Sequence, residues 1–577
     1  MRNMFEGKKM VSIILCLLMV ISLSTYGFAN NDKIKTDKVK VKMDTKEEKK
    51  IFDKDKDKLF ENLSTKMNKS KDEDEISVIV VFNEKFDEAK KKDVQGVVGD
   101  YKAKHEFKNI PAVAMKLNKG QIDKLSKLGI VKQIEYDEPV KAFNDTANYW
   151  FGTEKARTDF GLDGDRDGDI NSYSKDDVVV AVLDTGIDGD HVDLDGGKVI
   201  GWKDYVNNQS SPYDDHGHGT HVAGIVAGEG DGDSNYEGVA KGAALVGVKV
   251  LDSNGDGSMS DVTAAIDWCV TNKDTYGIDI INMSLGTSGS SDGTDSTSLA
   301  VNNAVANGIT VVVAAGNDGP SKYTIGSPGA AEDALTVANM IDVGEGGFGL
   351  AYLSSRGPTA DDRMKPDIGA PGTNITAPKT NSTNDYVTYS GTSMATPFTA
   401  GTIALMLDVD SSLTPSEIRS ILTSTAEDWA ASGQDIDYGY GRLDGYEAIK
   451  QVGGFSGSNI SVPDHMYGSD SLSSKGSTDT WEFTVDDTSY PIAITLQMTD
   501  WQSRFWFGGT PDFDLYLYDS NDNELASSTG TARQEQIYYT PSSTGTYKIK
   551  VYAYSDSGDY FFDLSAGGNS LTIVDNQ

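Results

Sequence analysis

The stretch Val178-Val-Val-Ala-Val-Leu-Asp-Thr-Gly186 decides the fold of this chain. Its continuous apolar run is typical of a strand that is buried on both faces. Similar runs recur at residues 244–250, 278–283, 310–315 and 335–339. The pattern between the runs is helical, and it predicts helices at residues 218–227, 260–272, 297–307, 393–407 and 414–425, with Ser260 and Thr414 as N-caps. Buried strands that alternate with helices indicate an α/β parallel sheet with helices on both faces.

Two smaller regions flank this α/β region. Residues 76–82 and 131–136 are strand-like, and residues 119–128 between them are helical, so we expect a small α+β unit. Beyond the Gly/Ser-rich stretch at residues 453–459, short alternating runs rich in Tyr, Thr and Ser follow. That pattern predicts an all-β domain with a sandwich architecture.

The first 29 residues are typical of a secretory signal peptide. They have a basic start, an apolar run at residues 10–23 and a small-residue cleavage site, Gly27-Phe-Ala29. The alternative is a membrane anchor, but about 14 apolar residues are short of the roughly 20 that span a bilayer. We therefore expect a secreted, extracellular protein.

The cysteine count bears on stability. Cys16 lies in the signal region, so Cys269 remains alone and no intramolecular disulfide can form. An exported protein without disulfides depends on core burial, with bound metal as a further source of stability. Cys269 lies in an apolar helical run and is expected to be a core residue.

The charge of the chain is strongly asymmetric. Residues 1–143 carry 30 Lys and Arg against 24 Asp and Glu, whereas residues 144–577 carry 22 against 64. Such acidity argues against nucleic acid or an anionic membrane as a partner, and it favours cations or a saline exterior. Acidity that only keeps a secreted protein soluble is the alternative.

Three segments supply the parts of an activated serine nucleophile. They are Asp184-Thr-Gly186 at a strand end, His218-Gly-Thr-His-Val-Ala-Gly224 at a helix start and Gly391-Thr-Ser-Met-Ala-Thr-Pro397 at another helix start. Strand ends and adjoining helix starts converge on one crevice of a parallel sheet. A zinc cluster of His216, His218 and His221 is not favoured, because their spacings match no known zinc pattern.

These motifs, in the order Asp, His, Ser, resemble those of the subtilisin-like serine proteases, the subtilase family. The resemblance extends over about residues 145–450. It includes His191-Val-Asp-Leu194, Asn282-Met-Ser-Leu-Gly286, Ala314-Ala-Gly-Asn317, Ser354-Ser-Arg-Gly-Pro358, Lys365-Pro-Asp367 and Tyr438-Gly-Tyr-Gly441. It implies a serine endopeptidase that acts through an acyl-enzyme intermediate. An α/β-hydrolase esterase is excluded, because that fold needs its histidine after the serine and only His465 follows, inside the predicted linker.

The resemblance also implies residue roles. His218 is the general base, Asp184 holds its tautomer, and Ser393 is the nucleophile. Asn317 supplies an amide donor to the oxyanion.

The resemblance implies a substrate-binding site as well. Two segments form walls that bind the substrate backbone as an added strand, Ser284, Leu285 and Gly286 in one and Ala314 to Gly316 in the other. Gly326 lies at the base of the side-chain pocket. A glycine leaves the pocket deep, so we expect broad specificity with large apolar residues before the scissile bond.

One acidic loop is a candidate calcium site. Asp163, Asp165, Asp167 and Asp169 alternate with other residues, as in the first half of a calcium loop, but position twelve is Ser174 rather than Glu. A solvated acidic turn is the alternative. Asp193 matches a calcium ligand of the family, although the partner loop is shortened here. We expect structural Ca²⁺.

The flanking regions also resemble known domains. The α+β unit resembles the inhibitor I9-type propeptide of these proteases, which acts as folding aid and inhibitor, and we expect self-cleavage between residues 143 and 148. The tail resembles a bacterial pre-peptidase C-terminal (PPC) domain, which can aid stability, bind insoluble substrate or be trimmed off.

The expected organisation follows from these resemblances. It is a signal peptide at residues 1–29, a charged linker at 30–74, the propeptide at 75–143, the catalytic domain at 144–453, a linker at 454–466 and the sandwich at 467–577. We expect a monomer that acts on protein and peptide substrates. The alternative is a catalytically silent subtilase scaffold that serves as a surface binding protein, but all the expected active-site residues are present.

Overall fold

The computed structural model describes residues 50–51, 58–60, 63–64, 66–67, 70–71, 74–99, 101–107, 110–137, 139–142, 148–169, 172–499, 501 and 510–576. All of them belong to one compact unit, Glu48–Gln577. The predicted signal peptide, most of the predicted linker at residues 30–74 and the predicted processing stretch at residues 143–147 lie outside the described residues.

The N-terminal unit is a four-stranded antiparallel sheet with two helices. The sheet order is β3-β4-β2-β5. The elements are β1 (Lys50–Ile51), β2 (Ile76–Phe82), α1 (Glu88–Val98), β3 (Ala103–Glu106), β4 (Ala112–Leu117), α2 (Lys119–Ser126), β5 (Val131–Tyr136) and β6 (Pro139–Ala142). Strands β1 and β6 pair with strands of the α/β domain rather than with this sheet.

Alternation along β2 explains how this unit is packed. Val78 and Val80 face the core that the unit forms with its own helices, whereas Ile79 and Val81 face helices of the α/β domain. A strand with a period of two can therefore serve two cores at once. The sheet is covered on both faces.

The core of this unit begins earlier than the predicted boundary at residue 75. Leu59, Phe60 and Leu63 are buried, and Leu59 forms a bridge with Ile134 of β5. The predicted linker at residues 30–74 therefore overlaps the folded unit. Charged residues dominate the composition of that stretch, so its three buried apolar residues were not predicted to belong to a core.

The α/β domain is built on an eight-stranded sheet of order β16-β15-β14-β11-β7-β9-β8, in which β17 also pairs with β15. Only β16 is antiparallel to its neighbour. Its strands are β7 (Val179–Asp184), β8 (Val199–Asp204), β9 (Ala244–Lys249), β11 (Ile278–Met283), β14 (Thr310–Ala314), β15 (Leu335–Ile341), β16 (Gly349–Leu350) and β17 (Ile368–Pro371). The strands of this domain that lie outside the large sheet are β10 (Asp256–Ser258), β12 (Leu285–Gly286), β13 (Ser290–Ser291), β18 (Ile375–Pro378) and β19 (Tyr386–Tyr389).

Helices cover both faces of this sheet, as predicted. They are α3 (Thr153–Phe160), α4 (His218–Ala227), α5 (Met259–Tyr276), α6 (Ser296–Ala306), α7 (Thr392–Val409), α8 (Pro415–Thr425) and α9 (Gly445–Gly453). Along β7, Val180 and Val182 pack with α4 and α7, whereas Ala181 and Leu183 pack with α5 and α6. The continuous apolar run at residues 178–183 thus forms a strand with two buried faces.

One of the two predicted N-caps is confirmed. Thr414 caps α8 and forms a capping box with Glu417. Helix α5 is capped by Ser258 rather than by the predicted Ser260, and it extends to Tyr276 rather than to residue 272. Ser260 is the second residue of α5, where its backbone N–H and hydroxyl are bound by Asp137 of the N-terminal unit. Helices α3 and α9 were not predicted.

The C-terminal region is a sandwich of two antiparallel sheets, as predicted. Their orders are β20-β27-β22-β25 and β24-β23-β26-β21-β28. The strands are β20 (Asp464–Leu472), β21 (Thr478–Val485), β22 (Ile492–Met498), β23 (Asp512–Asp519), β24 (Glu524–Ser528), β25 (Gln534–Tyr539), β26 (Gly545–Ser555), β27 (Gly558–Ala566) and β28 (Leu571–Asn576). Alternate residues of both sheets form one core. Within the described part of the chain, no helix has the length and apolar character that crossing a membrane requires.

Candidate active site

The carboxyl ends of β7, β11 and β14 lie side by side. The register pairs Asn282 of β11 with Val182 of β7, so the carboxyl ends of the two strands are adjacent, with Asp184 at the end of β7 and Ser284 directly after β11. Strand β14 lies on the other side of β11, and Asn317 follows its end. The sheet therefore gathers three predicted site residues at one edge, which is where α/β sheets bind ligands.

Asp184 and His218 form a buried carboxylate–imidazole pair. Asp184 is the last residue of β7 and His218 is the first of α4, and the distance from His218 Nδ1 to Asp184 Oδ1 is 2.6 Å. The same carboxylate oxygen accepts the backbone N–H of Thr185 at 2.7 Å. A proton on Nδ1 shared with the carboxylate leaves Nε2 as the basic nitrogen of the ring.

Asp214 fixes the start of α4, although no sequence motif predicted a role for this residue. Its carboxylate accepts hydrogen bonds from the backbone N–H groups of His216, Gly217 and Thr220 at 2.8–3.0 Å, and from the hydroxyls of Thr185 and Thr220. A signal was available: α4 begins after a glycine that offers no side-chain cap, and an acidic residue lies just upstream.

Gly219 allows α4 to approach the end of β7 closely. A β-carbon at this position would collide with the carbonyl oxygen of Gly186. The backbone N–H of Gly219 instead donates to the hydroxyl of Thr185 at 2.8 Å. The glycine after the histidine is therefore required by backbone contact rather than by chemistry.

Ser393 lies in the first turn of α7 and is tied to Ser284. Its hydroxyl donates to the carbonyl oxygen of Ser284 at 2.8 Å, and the Ser284 hydroxyl donates to the carbonyl oxygen of Ser393 at 2.6 Å. Because Ser284 directly follows β11, the neighbour of β7, this reciprocal pair holds Ser393 at the carboxyl end of the sheet, where Asp184 also lies. A helix N-terminus also favours negative charge that develops there.

The side chain of Asn317 is oriented by the same helix start. Its Oδ1 accepts the backbone N–H of Thr392 at 3.1 Å. An N–H group needs an acceptor, so this contact settles which end of the amide faces the helix. The Nδ2 group is left as the hydrogen-bond donor of the side chain.

Strand β6 of the N-terminal unit occupies the cleft beside these residues. It is the middle strand of a three-stranded antiparallel sheet of order β10-β6-β12. Leu285 pairs with Ala142 and Gly286 with Lys141 on one side. Residues 256–258 pair with β6 on the other side. Leu285 and Gly286 thus bind an added strand, and β10 supplies the opposite wall.

The other predicted wall and the pocket base have different surroundings. Ala314 ends β14, and the N–H of Gly316 donates to the Thr392 hydroxyl at 3.2 Å. At Gly326, a β-carbon would collide with the carbonyl oxygen of Thr287. Gly326 is therefore needed for the contact between its loop and the segment after β12, in addition to any role in a pocket.

Comparison with known proteins relates this geometry to a family. The family model described as "Subtilase family" matches residues 175–441. Serine protease AprX of Bacillus subtilis is 38% identical over 347 residues, which cover 56% of this chain and 76% of that protein. The chain belongs to the subtilase family.

Other subtilases and two further domain models agree with this assignment. Thermostable alkaline protease of Halalkalibacterium halodurans is 37% identical over 56% of this chain and 79% of its own length. Subtilisin E of Bacillus subtilis is 34% identical over 62% and 84%. The model described as "Tk-SP N-propeptide domain" matches residues 54–121, and "Bacterial pre-peptidase C-terminal domain" matches residues 477–553. This subtilase is thus a subtilisin-type serine protease with a propeptide and a PPC domain.

The subtilase helices α5 and α6 receive two carboxylates from the propeptide. Glu135 accepts the backbone N–H of Ser296 at 2.7 Å and its hydroxyl at 2.7 Å. Asp137 accepts the backbone N–H of Ser260 at 2.6 Å. Carboxyl oxygens at helix N-termini accept hydrogen bonds from otherwise unsatisfied N–H groups. These two contacts add to the pairing of β6 and to the packing of Ile79 and Val81 on the catalytic domain.

The structure assembles a different acidic cluster from the predicted one. Ligand oxygens of Asp165, Asp167 and Asp177 all lie within 4.8 Å of one another. Asp163 and Asp169 are not members of this cluster. Asp177 was not predicted, because it lies after the alternating motif, next to β7. The folded loop brings its side chain to Asp165 and Asp167.

Asp193 is engaged by protein donors. Its carboxylate accepts the hydroxyl of Tyr386 at 2.9 Å and the backbone N–H of Gly232 at 3.0 Å. Among the residues that the structure describes, the only group of three or more acidic, His or Cys side chains suited to a metal is the one at Asp177. Asp193 therefore lies outside this acidic cluster.

We expect the isolated propeptide to inhibit the mature protease less tightly as pH rises from 4.5 to 8. Burial, with the nearby charge of Asp295, raises the pKa of Glu135 from 4.5 to about 8. Binding therefore takes up a proton, and this contribution is fully present below pH 4.5 and lost as pH passes 8. The inhibition constant, measured across this range, should rise by up to about tenfold per pH unit.

The matched control is Glu135→Gln, in which an amide replaces the protonated carboxyl. Its inhibition constant should be flat between pH 4.5 and 8, because the titrating group is gone. A wild-type inhibition constant that does not change in this window would show that Glu135 binds as a carboxylate.

Proposed function

We propose that this subtilase is a secreted serine endopeptidase that is made as a self-processing zymogen. The observation that carries the proposal is the buried pair of Asp184 and His218, 2.6 Å apart, beside Ser393 at the start of α7. Strand β6 lies in the same cleft in the position of a bound peptide. The proposed reaction is the hydrolysis of peptide bonds through an acyl-enzyme intermediate.

The first half of the reaction acylates Ser393. His218 Nε2 removes the hydroxyl proton as Ser393 Oγ attacks the scissile carbonyl carbon, and Asp184 stabilises the imidazolium without taking up the proton. The intermediate carries a negative oxygen, which accepts hydrogen bonds from Asn317 Nδ2 and the backbone N–H of Ser393. His218 then gives its proton to the leaving amine, and the C–N bond breaks.

The second half regenerates the enzyme. A water molecule takes the place of the amine, and His218 removes one of its protons as the oxygen attacks the acyl carbon. The same two donors stabilise the second tetrahedral intermediate. Collapse returns the proton to Ser393 Oγ and releases the carboxylic acid product.

Substrate binding is proposed to use the surfaces that hold β6. The backbones of Leu285 and Gly286 and the facing strand β10 give a substrate strand two partners, so main-chain hydrogen bonds supply affinity that is independent of side chains. Ser284, Ala314 and Gly316 border the cleft at the strand ends. Gly326 leaves the side-chain pocket deep, which supports broad specificity with large apolar residues before the scissile bond.

The zymogen model joins the propeptide to this cleft. Strand β6 ends at Ala142, one residue before the predicted processing stretch at residues 143–148. Cleavage there leaves the propeptide bound as an inhibitor after it has aided folding. Secretion rests on the sequence of residues 1–29, which lie outside the described residues.

A silent scaffold that only binds partners is not favoured. Such a protein has no need to keep the buried contact between Asp184 and His218, which costs desolvation of a carboxylate. It has no need of the oriented amide of Asn317 either. The monomeric state stays a prediction.

Structural calcium is proposed at the cluster of Asp165, Asp167 and Asp177. Asp177 is 1% exposed, and neither its Oδ1 nor Asp165 Oδ2 has a hydrogen-bond partner among the described residues. Burial raises the pKa of Asp177 to about 6. Adjacent carboxylates with unsatisfied oxygens match the hard ligands that Ca²⁺ prefers. The ion would tie the acidic loop to the start of β7.

Ser393→Ala should abolish casein hydrolysis and leave the propeptide attached when the protein is purified. Wild-type activity should be lost on treatment with a serine-reactive phosphonate. Asn317→Ala should lower kcat by about 100- to 1,000-fold, as loss of this donor does in a subtilisin. Ser393→Ala protein that loses its propeptide in pure buffer, or activity that survives the phosphonate and disappears with a chelator, would contradict the proposal.

A peptide library should show cleavage after Phe, Tyr, Leu and Met, with low selectivity at other positions. The expected cause is a deep pocket above Gly326 together with backbone recognition by β10 and β12. The measurement is kcat/KM for substrates that differ only in the residue before the scissile bond. Strict preference for Lys or Arg would show that Gly326 does not form the pocket base.

Removal of calcium with EGTA should lower the thermal midpoint of the mature chain by several degrees, about 2–4 °C for each kcal/mol of lost binding free energy. Asp177→Asn should lose this calcium-dependent part, because one charged ligand is gone. The control is Asp176→Asn, a change at the exposed neighbour, which should keep it. An Asp177→Asn protein with the full calcium response would place the ion elsewhere.

A further inference from the structure

Arg533 of the PPC domain is buried against the catalytic domain. It immediately precedes β25 and is 1% exposed. Its two terminal nitrogens bind the two carboxylate oxygens of Asp437 at 2.7 and 2.9 Å, and Nη1 also donates to the carbonyl oxygen of Pro320 at 3.2 Å. A planar guanidinium that forks onto a carboxylate is fixed in direction as well as in position.

Pro320 ends the segment of residues 316–320, which we call the Asn317 segment. This segment is held from one side by residues 353–355. Ser355 N–H donates to the carbonyl oxygen of Gly316 at 2.8 Å, and the Ser355 hydroxyl accepts the N–H of Asp318 at 3.1 Å. The N–H of Gly319 donates to the carbonyl oxygen of Leu353 at 3.0 Å.

A second residue of the PPC domain, Gln534, holds the other side of this arrangement. Its Oε1 accepts from Arg356 at 2.6 Å, and its Nε2 donates to the carbonyl oxygen of Leu350 at 3.0 Å. Residues 350–356 span the stretch that supports the Asn317 segment. The PPC domain therefore contacts the Asn317 segment directly through Arg533, and its support through Gln534.

The energetics of this cluster favour a role in geometry over one in stability. Arg356, Arg533 and Asp437 are all buried, so two cations share one carboxylate. Arg533 Nε has no hydrogen-bond partner within the described structure, and Arg356 Nε lies 3.1 Å from Asp437 Oδ1 without forming a hydrogen bond. Apolar residues that fill the same volume often give equal or greater stability than a buried ionic cluster. The cluster fixes the orientation of the Arg533 guanidinium, and with it the position of Pro320 relative to Asp437.

We propose that Arg533 is a positioning residue for peptide hydrolysis and that the PPC domain is a working part of the protease. By holding the carbonyl of Pro320, Arg533 keeps the Asn317 segment in the place where the Asn317 amide meets the oxyanion. The proposal rests on the proposed role of Asn317. It implies that the active enzyme retains the PPC domain.

The test compares Arg533→Gln with wild type in the mature chain that includes the PPC domain. Active sites are counted with a serine-reactive phosphonate, so unfolded molecules do not enter the rate. We expect kcat per titrated site to fall about tenfold, a fraction of the 100- to 1,000-fold effect of losing such a donor, with KM changed less than twofold. The control is Lys548→Gln, which removes a cation of β26 that is paired with Asp522. This variant should keep wild-type kcat.

A double-mutant cycle separates positioning from a merely structural role. In the Asn317→Ala background, Arg533→Gln should have no further effect on kcat, because the group that it positions is absent. A variant that melts earlier but keeps wild-type kcat per titrated site would overturn the proposal, as would two effects that simply add. If Asn317→Ala itself leaves kcat unchanged, the proposed role of Asn317 fails instead.

Arg533→Lys covers the case in which Arg533→Gln does not fold. Lysine keeps the charge beside Asp437 but cannot reproduce the fork that also reaches Pro320. We expect a smaller fall in kcat, two- to fivefold, with KM unchanged. Full wild-type kcat in this variant would show that the charge alone suffices and that Pro320 is not positioned from the PPC domain.

Discussion

Parallel pairing of β7, β11 and β14 is the constraint on which the active site depends. In a parallel sheet the carboxyl ends of neighbouring strands share one edge, so residues far apart in sequence meet without long side chains. Asp184 ends β7 and Ser284 directly follows β11, and the two strands are paired up to Asn282 and Val182. One slip in that register would move every side chain of β11 to the opposite face.

Much of this arrangement could be predicted because the signals are local. An apolar run such as that of β7 identifies a buried strand from its own residues, and each catalytic motif lies within seven consecutive positions. The order of the motifs then limits the family. The fold class was confirmed in all three regions, and the structure brings the predicted site residues Asp184, His218, Ser393 and Asn317 to one cleft.

The residues that were missed act across the chain rather than along it. Asp177 joins the acidic cluster with Asp165 and Asp167 only when its loop closes, and in the sequence Asp214 is one more acidic residue of an acidic domain. Leu59 and Phe60 are a short apolar pair among charged residues, and only the folded propeptide shows that they belong to its core. Ser260 was predicted as an N-cap, but it binds Asp137, which lies in another domain and far away in the sequence. Tertiary contact decides each of these cases.

The two flanking domains are attached by contacts that differ in how easily water can replace them. Both domains bury apolar surface on the catalytic domain, the propeptide through Ile79 and Val81 and the PPC domain through Phe561 and the stack of His465 on Trp429 at 4.1 Å. Their polar contacts differ. The propeptide binds through β6 and through carboxyl groups on the starts of α5 and α6, and water can take over those N–H groups when the propeptide leaves. The PPC domain instead pairs Arg533 with the buried carboxylate of Asp437. Its removal would expose Trp429 and leave Asp437 without Arg533. A contact of the first kind suits a domain that is released, and one of the second kind suits a domain that stays.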